Sequence, residues 1–68
     1  MNYVHQNMMR YFDYSHLPEY LQAISGPICR LAEDMIGKCE DSVDITEVTV
    51  GLRKLLEAKD CFVRAMVK

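Results

Sequence analysis

The side chains with the clearest capacity for ligand chemistry are cations in the run from Asp44 to Lys68. Apolar residues recur there at helical spacing, and Arg53, Lys54, Lys59 and Arg64 are set beside them. Arginine presents a planar fork to phosphate oxygens, and lysine presents a mobile point charge. We therefore expect these cations to hold phosphates if symmetric assembly brings them together from several subunits.

A second interpretation gives the same cations no ligand. Arg53 and Glu57 stand four residues apart, as do Asp60 and Arg64. This spacing is typical of ion pairs on a solvated helix face, where the charges serve solubility. The sequence leaves both interpretations open.

No enzymatic constellation is present in the sequence. No serine or cysteine stands beside a plausible base, no glycine-rich loop can cradle a phosphate, and no metal-binding motif occurs. His5 and His16 are isolated, so a surface or hydrogen-bonding role is expected for both. The cysteines at 29, 39 and 61 form no pair at ligand spacing, which favours idle thiols over a zinc site or a disulfide framework. We expect no catalytic residue, cofactor or metal.

Charge is divided unequally along the chain, although the formal net charge is only −2. Residues 33–47 contain six carboxylates against one lysine, whereas residues 53–68 contain five cations against two carboxylates. A long polyanion needs a continuous basic patch, so this division argues against binding to duplex DNA. A small phosphate-bearing ligand needs only a few cations.

The chain has 68 residues, of which 50% are apolar and none is tryptophan, so it forms one domain at most. So short a domain commonly needs a disulfide, a metal or self-association for stability, and this composition favours self-association. The residues after Met1 show no basic region followed by an apolar run, and no segment reaches membrane-spanning length. We therefore expect a cytoplasmic protein without a membrane partner.

The hydrophobic pattern predicts an all-α fold built on an antiparallel two-helix hairpin. Residues 1–16 form an aromatic arm or a short helix, whose rings cover an apolar surface or stack on a flat ligand. Residues 17–36 form the first helix, because Pro18 and Glu19 favour a helix start. Pro27 predicts either a kink or a restart capped by Ser25, and the unbroken apolar phase favours the kink, with Gly37 ending the helix. The expected seam contains Leu17, Leu21, Ile24, Ile28, Leu31 and Met35.

Residues 37–43 form an acidic connection, and residues 44–67 form the second helix. Asp44 and Glu47 stand at the two positions of a capping box. Towards its end this helix is apolar nearly all round, which one partner helix cannot cover. We expect the hairpins to associate into a homo-oligomeric helical bundle. The expected seam of the second helix contains Val48, Leu52, Leu55, Phe62 and Met66, with Lys59 at one intervening position.

Two stretches carry a resemblance to a known family. The second helix reads T-E-V-T-V-G-L-R-K-L-L-E-A-K-D-C-F-V-R-A over residues 46–65, and the first helix opens with F-D-Y-S-H-L-P over residues 12–18. Helix order, the L-x-x-A step at Leu55 to Ala58 and the closing V-R-A at Val63 to Ala65 make the chain resemble small helical-hairpin proteins of phages. These are the cyclic-oligonucleotide sponges of the anti-CBASS and anti-Thoeris type.

The resemblance implies a compact homohexamer that sequesters cyclic dinucleotides, cyclic trinucleotides or cyclic ADP-ribose isomers without degrading them. It implies that Tyr14 or His16 stacks on a base and that Arg30 meets phosphate. It also implies that Arg53 and Lys54 serve a separate trinucleotide pocket, while Arg64 contacts ligand or a neighbouring subunit. The aromatic arm and Pro27 depart from the family pattern.

The sequence thus supports a non-enzymatic sponge for cyclic oligonucleotide immune signals, acting in the cytoplasm of an infected or prophage-bearing bacterium. The alternative is an oligomeric interaction or regulatory module, whose apolar surface serves a protein partner and whose charges are merely solvated.

Overall fold

The computed structural model describes residues 3–67, so the first two residues of the predicted arm and the cation Lys68 lie outside the described residues. Between residues 3 and 67 every regular element is a helix, which confirms the predicted all-α class. The elements are α1 (Tyr3–Met8), a 3-10 helix (Met9–Phe12), α2 (Glu19–Lys38) and α3 (Ile45–Met66).

Helix α2 runs without a break through Pro27, so Ser25 does not cap a second helix. Proline removes the backbone donor to the fourth preceding carbonyl, and it normally also crowds the side chain of the residue before it. Here that residue is Gly26, which has no Cβ to crowd. Gly26 thus makes the proline compatible with a continuous helix.

The ends of the two long helices follow local chemistry. The Pro18 carbonyl accepts from the backbone nitrogens of Leu21 and Gln22 at 2.9 and 3.0 Å, which starts α2. Gly37 does not end α2 as predicted, because its φ is not positive and the helix continues to Lys38. At α3, Asp44 Oδ1 accepts from the Glu47 backbone nitrogen at 3.0 Å, which is the N-cap bond of the predicted capping box.

The core is a small cluster that draws on three elements. Phe12 of the 3-10 helix is 0% exposed and packs with α2 and with Leu52 of α3. The α2 residues beneath it are mostly small, which lets the aromatic ring approach the helix closely. The N-terminal segment therefore contributes to the core and is not a separate arm. The buried residues of the core are Phe12, Cys29, Ala32, Ile36 and Leu52.

The predicted seam of α2 proved partly wrong. Leu21 is buried, but Leu31 is 45% exposed, and the face turned to the core instead carries Ser25, Cys29, Ala32 and Ile36. The reason is that α2 is covered by the 3-10 helix as well as by α3. The buried face therefore lies between these two neighbours, and the large residues of the predicted seam flank it.

Two polar contacts join the N-terminal helices to α3. His5 Nε2 lies 2.8 Å from Thr49 Oγ1, while that hydroxyl donates to the Ile45 carbonyl at 3.0 Å. Because a hydroxyl has one hydrogen, Nε2 must be the donor in the first contact. Lys59 Nζ donates to the Tyr11 carbonyl at 3.1 Å and pairs with Asp60 at 2.9 Å. Lys59 thus joins α3 to the end of the 3-10 helix.

The described part of the molecule measures 42 × 18 × 16 Å, elongated along its long helices. Within residues 3–67, neither long helix keeps the apolar character that crossing a bilayer requires.

Candidate functional site

Tyr14 and Arg30, two of the predicted ligand residues, converge over Gly26. A Cβ atom at Gly26 would lie 3.4 Å from Arg30 Nη1 and 3.5 Å from Tyr14 Cε2. The aromatic ring and the guanidinium therefore both pack over the helix backbone at Gly26, which is buried. We call this arrangement of Tyr14, Gly26 and Arg30 the Tyr14–Arg30 site.

A hydrogen-bonded turn holds Tyr14 in place. Asp13 Oδ1 accepts from the backbone nitrogen and the hydroxyl of Ser15, at 3.1 and 2.9 Å. The Tyr14 carbonyl accepts from the Leu17 backbone nitrogen at 3.1 Å. The backbone bond from Ser15 is the main reason that the pKa of the Asp13 carboxyl lies below its ordinary value. Tyr14 itself is half-buried and packs against the core.

Arg30 approaches from α2, four residues after Gly26 and hence on the same face of the helix. Its side chain is exposed. Within residues 3–67 it makes no hydrogen bond and no ion pair, so its five donors are open to a ligand. A free guanidinium beside an aromatic ring suits a ligand that combines a flat ring with a phosphate.

His16, the alternative stacking residue, lies at the same turn. Its Nδ1 is 4.0 Å from Asp13 Oδ2, and both side chains are exposed. His16 therefore lies at the edge of the turn, whereas the ring beside Gly26 is that of Tyr14.

Three further predicted ligand residues lie on α3 and are exposed, namely Arg53, Lys54 and Arg64. Arg64 Nη2 donates to Cys61 Sγ at 3.3 Å, and within the described residues Arg53 and Lys54 make no ion pair. The ion pairs expected from i,i+4 spacing are not formed among these residues, since Asp60 pairs with Lys59 instead. No hydrogen bond or ion pair joins these three cations to Tyr14 or Arg30 within one chain.

The three cysteines are in different surroundings. Cys29 is buried in the core, Cys39 is half-buried and Cys61 is exposed. Burial raises the pKa of the Cys29 thiol, and the nearby Glu33 carboxylate raises it further. Across residues 3–67 no three His, Cys, Asp or Glu side chains converge as a set of metal ligands.

An apolar groove between α2 and α3 is a second surface feature, which the sequence did not reveal. It has a volume of about 430 Å³ and one charged lining residue, Glu47. Gly51 leaves its α3 side open, because a Cβ there would meet nothing within 4 Å. We call it the α2–α3 groove; its lining is Leu31, Met35, Cys39, Glu47, Val48, Gly51, Leu52 and Leu55.

Gly26 is the member of the Tyr14–Arg30 site that the sequence analysis missed. Its signal was its position, directly before a proline inside a helix pattern and four residues before an arginine.

In comparisons with known proteins, no family model, no curated protein and no solved structure matches this chain.

Proposed function

We propose that this protein binds cyclic oligonucleotide immune signals and holds them without cleavage, as a sponge. The observation that carries the proposal is the convergence of Tyr14 and Arg30 over Gly26. The resemblance to anti-CBASS and anti-Thoeris sponges suggests the ligand class, and the proximity of an aromatic ring to a guanidinium supports it.

The chemistry of the site fits one nucleotide unit. An aromatic side chain gains about 1–3 kcal/mol from stacking on a base, with little demand on base identity. A guanidinium binds phosphate oxygens through paired, charge-assisted hydrogen bonds. The space over Gly26 is filled by these two side chains, so a ligand would contact the exposed parts of the ring and the guanidinium.

In the proposed function, the remaining predicted ligand residues reach the ligand only after several copies of the chain assemble. Two antiparallel helices, α2 and α3, form the hairpin, and copies of it form a homo-oligomer, with a hexamer as the expected state. His16 at the turn and Arg53, Lys54 and Arg64 on α3 then contribute phosphate contacts from neighbouring copies. Their exposure, and the absence of ion pairs at Arg53 and Lys54 within residues 3–67, support this role.

A non-enzymatic role is proposed because no described residue is poised to attack the ligand. The closest pairing of a base and a hydroxyl is that of His5 and Thr49, which lie 2.8 Å apart. The Thr49 hydrogen is directed at the Ile45 carbonyl, so the imidazole does not receive it. His5 is also buried, away from any ligand in solution.

The test is calorimetric titration with cyclic dinucleotides, cyclic trinucleotides and cyclic ADP-ribose isomers, followed by chromatography of the ligand released on heating. We expect tight binding and intact ligand. Tyr14→Leu and Arg30→Gln should each weaken binding by about tenfold or more, because each removes one of the two contacts. Tyr3→Leu and Arg10→Gln are the matched controls and should bind as the unmodified protein does.

Absence of binding to every member of the panel would contradict the proposal. So would a cleaved product, or equal affinity in all four variants. A second candidate function is an interaction module for a protein partner, and the α2–α3 groove favours it. This function predicts that no member of the nucleotide panel binds.

A further inference from the structure

Asp13 places a carboxylate one residue before the ring of the Tyr14–Arg30 site. Its Oδ1 accepts two hydrogen bonds from Ser15, at 3.1 and 2.9 Å, and these bonds fix the orientation of the carboxylate. Its Oδ2 accepts none within residues 3–67, because His16 Nδ1 is 4.0 Å away, too far for a hydrogen bond. The turn before α2 therefore holds one oriented acceptor oxygen whose lone pairs are open.

This carboxylate is accessible and charged. The Asp13 side chain is 56% exposed, so a ligand can reach it. The backbone bond from Ser15 is the main cause that holds the pKa of the Asp13 carboxyl below its ordinary value, so the group is ionised at neutral pH. An ionised carboxylate accepts hydrogen bonds and donates none. It therefore favours a ligand edge that presents donors and disfavours one that presents acceptors.

Asp13 and Arg30 act on the same part of α2. Burial is the main cause that raises the pKa of the Cys29 thiol; the Asp13 carboxylate raises it further, and the Arg30 guanidinium lowers it. Within the described residues no ion pair joins Asp13 to Arg30, so neither charge neutralises the other. A nucleotide is divided in the matching way, with N–H donors on the edge of its base and negative charge on its phosphate.

Guanine is the base whose pairing edge suits a carboxylate. It presents two donors side by side, the ring N–H and the exocyclic amino group. Adenine and cytosine present one amino group beside a bare ring nitrogen, whose lone pair would face the carboxylate. Uracil presents one N–H between two carbonyl oxygens. Charge-assisted hydrogen bonds are stronger than neutral ones, and an acceptor set against an acceptor is unfavourable, so both effects select guanine.

We propose that the Tyr14–Arg30 site prefers cyclic dinucleotides that contain guanine, with Asp13 Oδ2 accepting from the ring N–H and the amino group of that base. This inference rests on the proposed function, in which Tyr14 stacks on a base and Arg30 binds a phosphate. Asp13 is then the residue that determines base specificity.

The first test changes the ligand and leaves the protein intact. Calorimetric titration compares cyclic di-GMP with cyclic di-AMP, and cyclic di-GMP should bind about tenfold more tightly, which is the effect of one further hydrogen bond to a charged group. Cyclic di-IMP retains the ring N–H of guanine but lacks its amino group. Its affinity should therefore lie between those of the other two ligands.

The second test changes Asp13 to asparagine. Asp13→Asn retains a side-chain oxygen that can accept from Ser15, but it replaces the charged Oδ2 by an amide donor. Binding of cyclic di-GMP should weaken by about tenfold or more, whereas binding of cyclic di-AMP should not weaken. Asp41→Asn is the matched control, because it removes the same charge from the connection after α2 and should leave both affinities unchanged. Circular dichroism checks that each variant keeps its helix content.

Failure of this inference can be distinguished from failure of the proposed function. If no cyclic nucleotide binds, the proposed function fails and base specificity fails with it. If cyclic di-AMP binds as tightly as cyclic di-GMP, the base specificity alone is overturned. The same conclusion follows if Asp13→Asn retains the full preference for guanine.

Discussion

At the scale of single residues, two buried hydroxyls lack a hydrogen-bond partner among residues 3–67, those of Ser25 and Ser42, and Ser25 lies closer to the candidate site. The Ser25 Oγ is buried, and the residue is 1% exposed. A buried polar group without a partner costs about 1–3 kcal/mol. Ser25 is next to Gly26, so this cost is incurred beside the Tyr14–Arg30 site.

Ser25→Ala is therefore expected to raise the free energy of unfolding by about 1 kcal/mol, because it removes the unsatisfied oxygen and little volume. Urea denaturation followed by circular dichroism measures the change. Ser15→Ala is the control: its exposed hydroxyl bonds to Asp13, and its loss should leave stability within about 0.5 kcal/mol. A loss of stability in Ser25→Ala would show that the hydroxyl has a partner after all.

At the scale of the helices, capping chemistry was more predictable than packing. Asp44 and Glu47 identified the start of α3 because a cap depends on neighbours in the sequence. The buried face of α2 was identified only in part, because it depends on which elements lie against it. Phe12 packs there, so Cys29 and Ala32 are buried while Leu31 is left at the surface.

Pro27 gives a prediction at this scale, because it is exposed and lies inside α2. Pro27→Ala restores a donor to the Ala23 carbonyl, and it should stabilise the protein by about 1–3 kcal/mol. Pro18→Ala, just before the helix, should instead lose about 0.4–1 kcal/mol through the greater freedom of the unfolded chain. Thermal unfolding of both variants measures the two effects, and equal shifts would contradict the cost assigned to the missing donor at Pro27.

At the scale of the whole molecule, the N-terminal segment decides whether a core exists. Its burial was not predictable from the sequence, because its aromatic residues have no clear period and were equally consistent with ligand stacking. Of the candidate site, the sequence identified Tyr14 and Arg30 through a resemblance. It did not identify Gly26, over which these two side chains pack, nor the groove, which exists only where two helices meet.

Phe12→Ala tests this dependence. Removing a buried phenylalanine costs about 3–5 kcal/mol, and a core of this size rarely supplies more than that. We expect the far-ultraviolet circular dichroism of the variant to show a largely unfolded chain at 25 °C. Tyr11→Ala is the control, because the Tyr11 ring is exposed. The bond to Lys59 is made by the Tyr11 backbone carbonyl, which the substitution retains. A folded Phe12→Ala variant would mean that α2 and α3 form a stable unit without the N-terminal helices.

The contacts from His5 to Thr49 and from Lys59 to Tyr11 join residues 44 and 48 positions apart. They set an order of events during synthesis. During synthesis, α1 and Phe12 emerge before Leu52 and Lys59, which complete their surroundings. The aromatic and apolar residues of the N-terminal segment therefore stay exposed on the nascent chain until α3 has emerged.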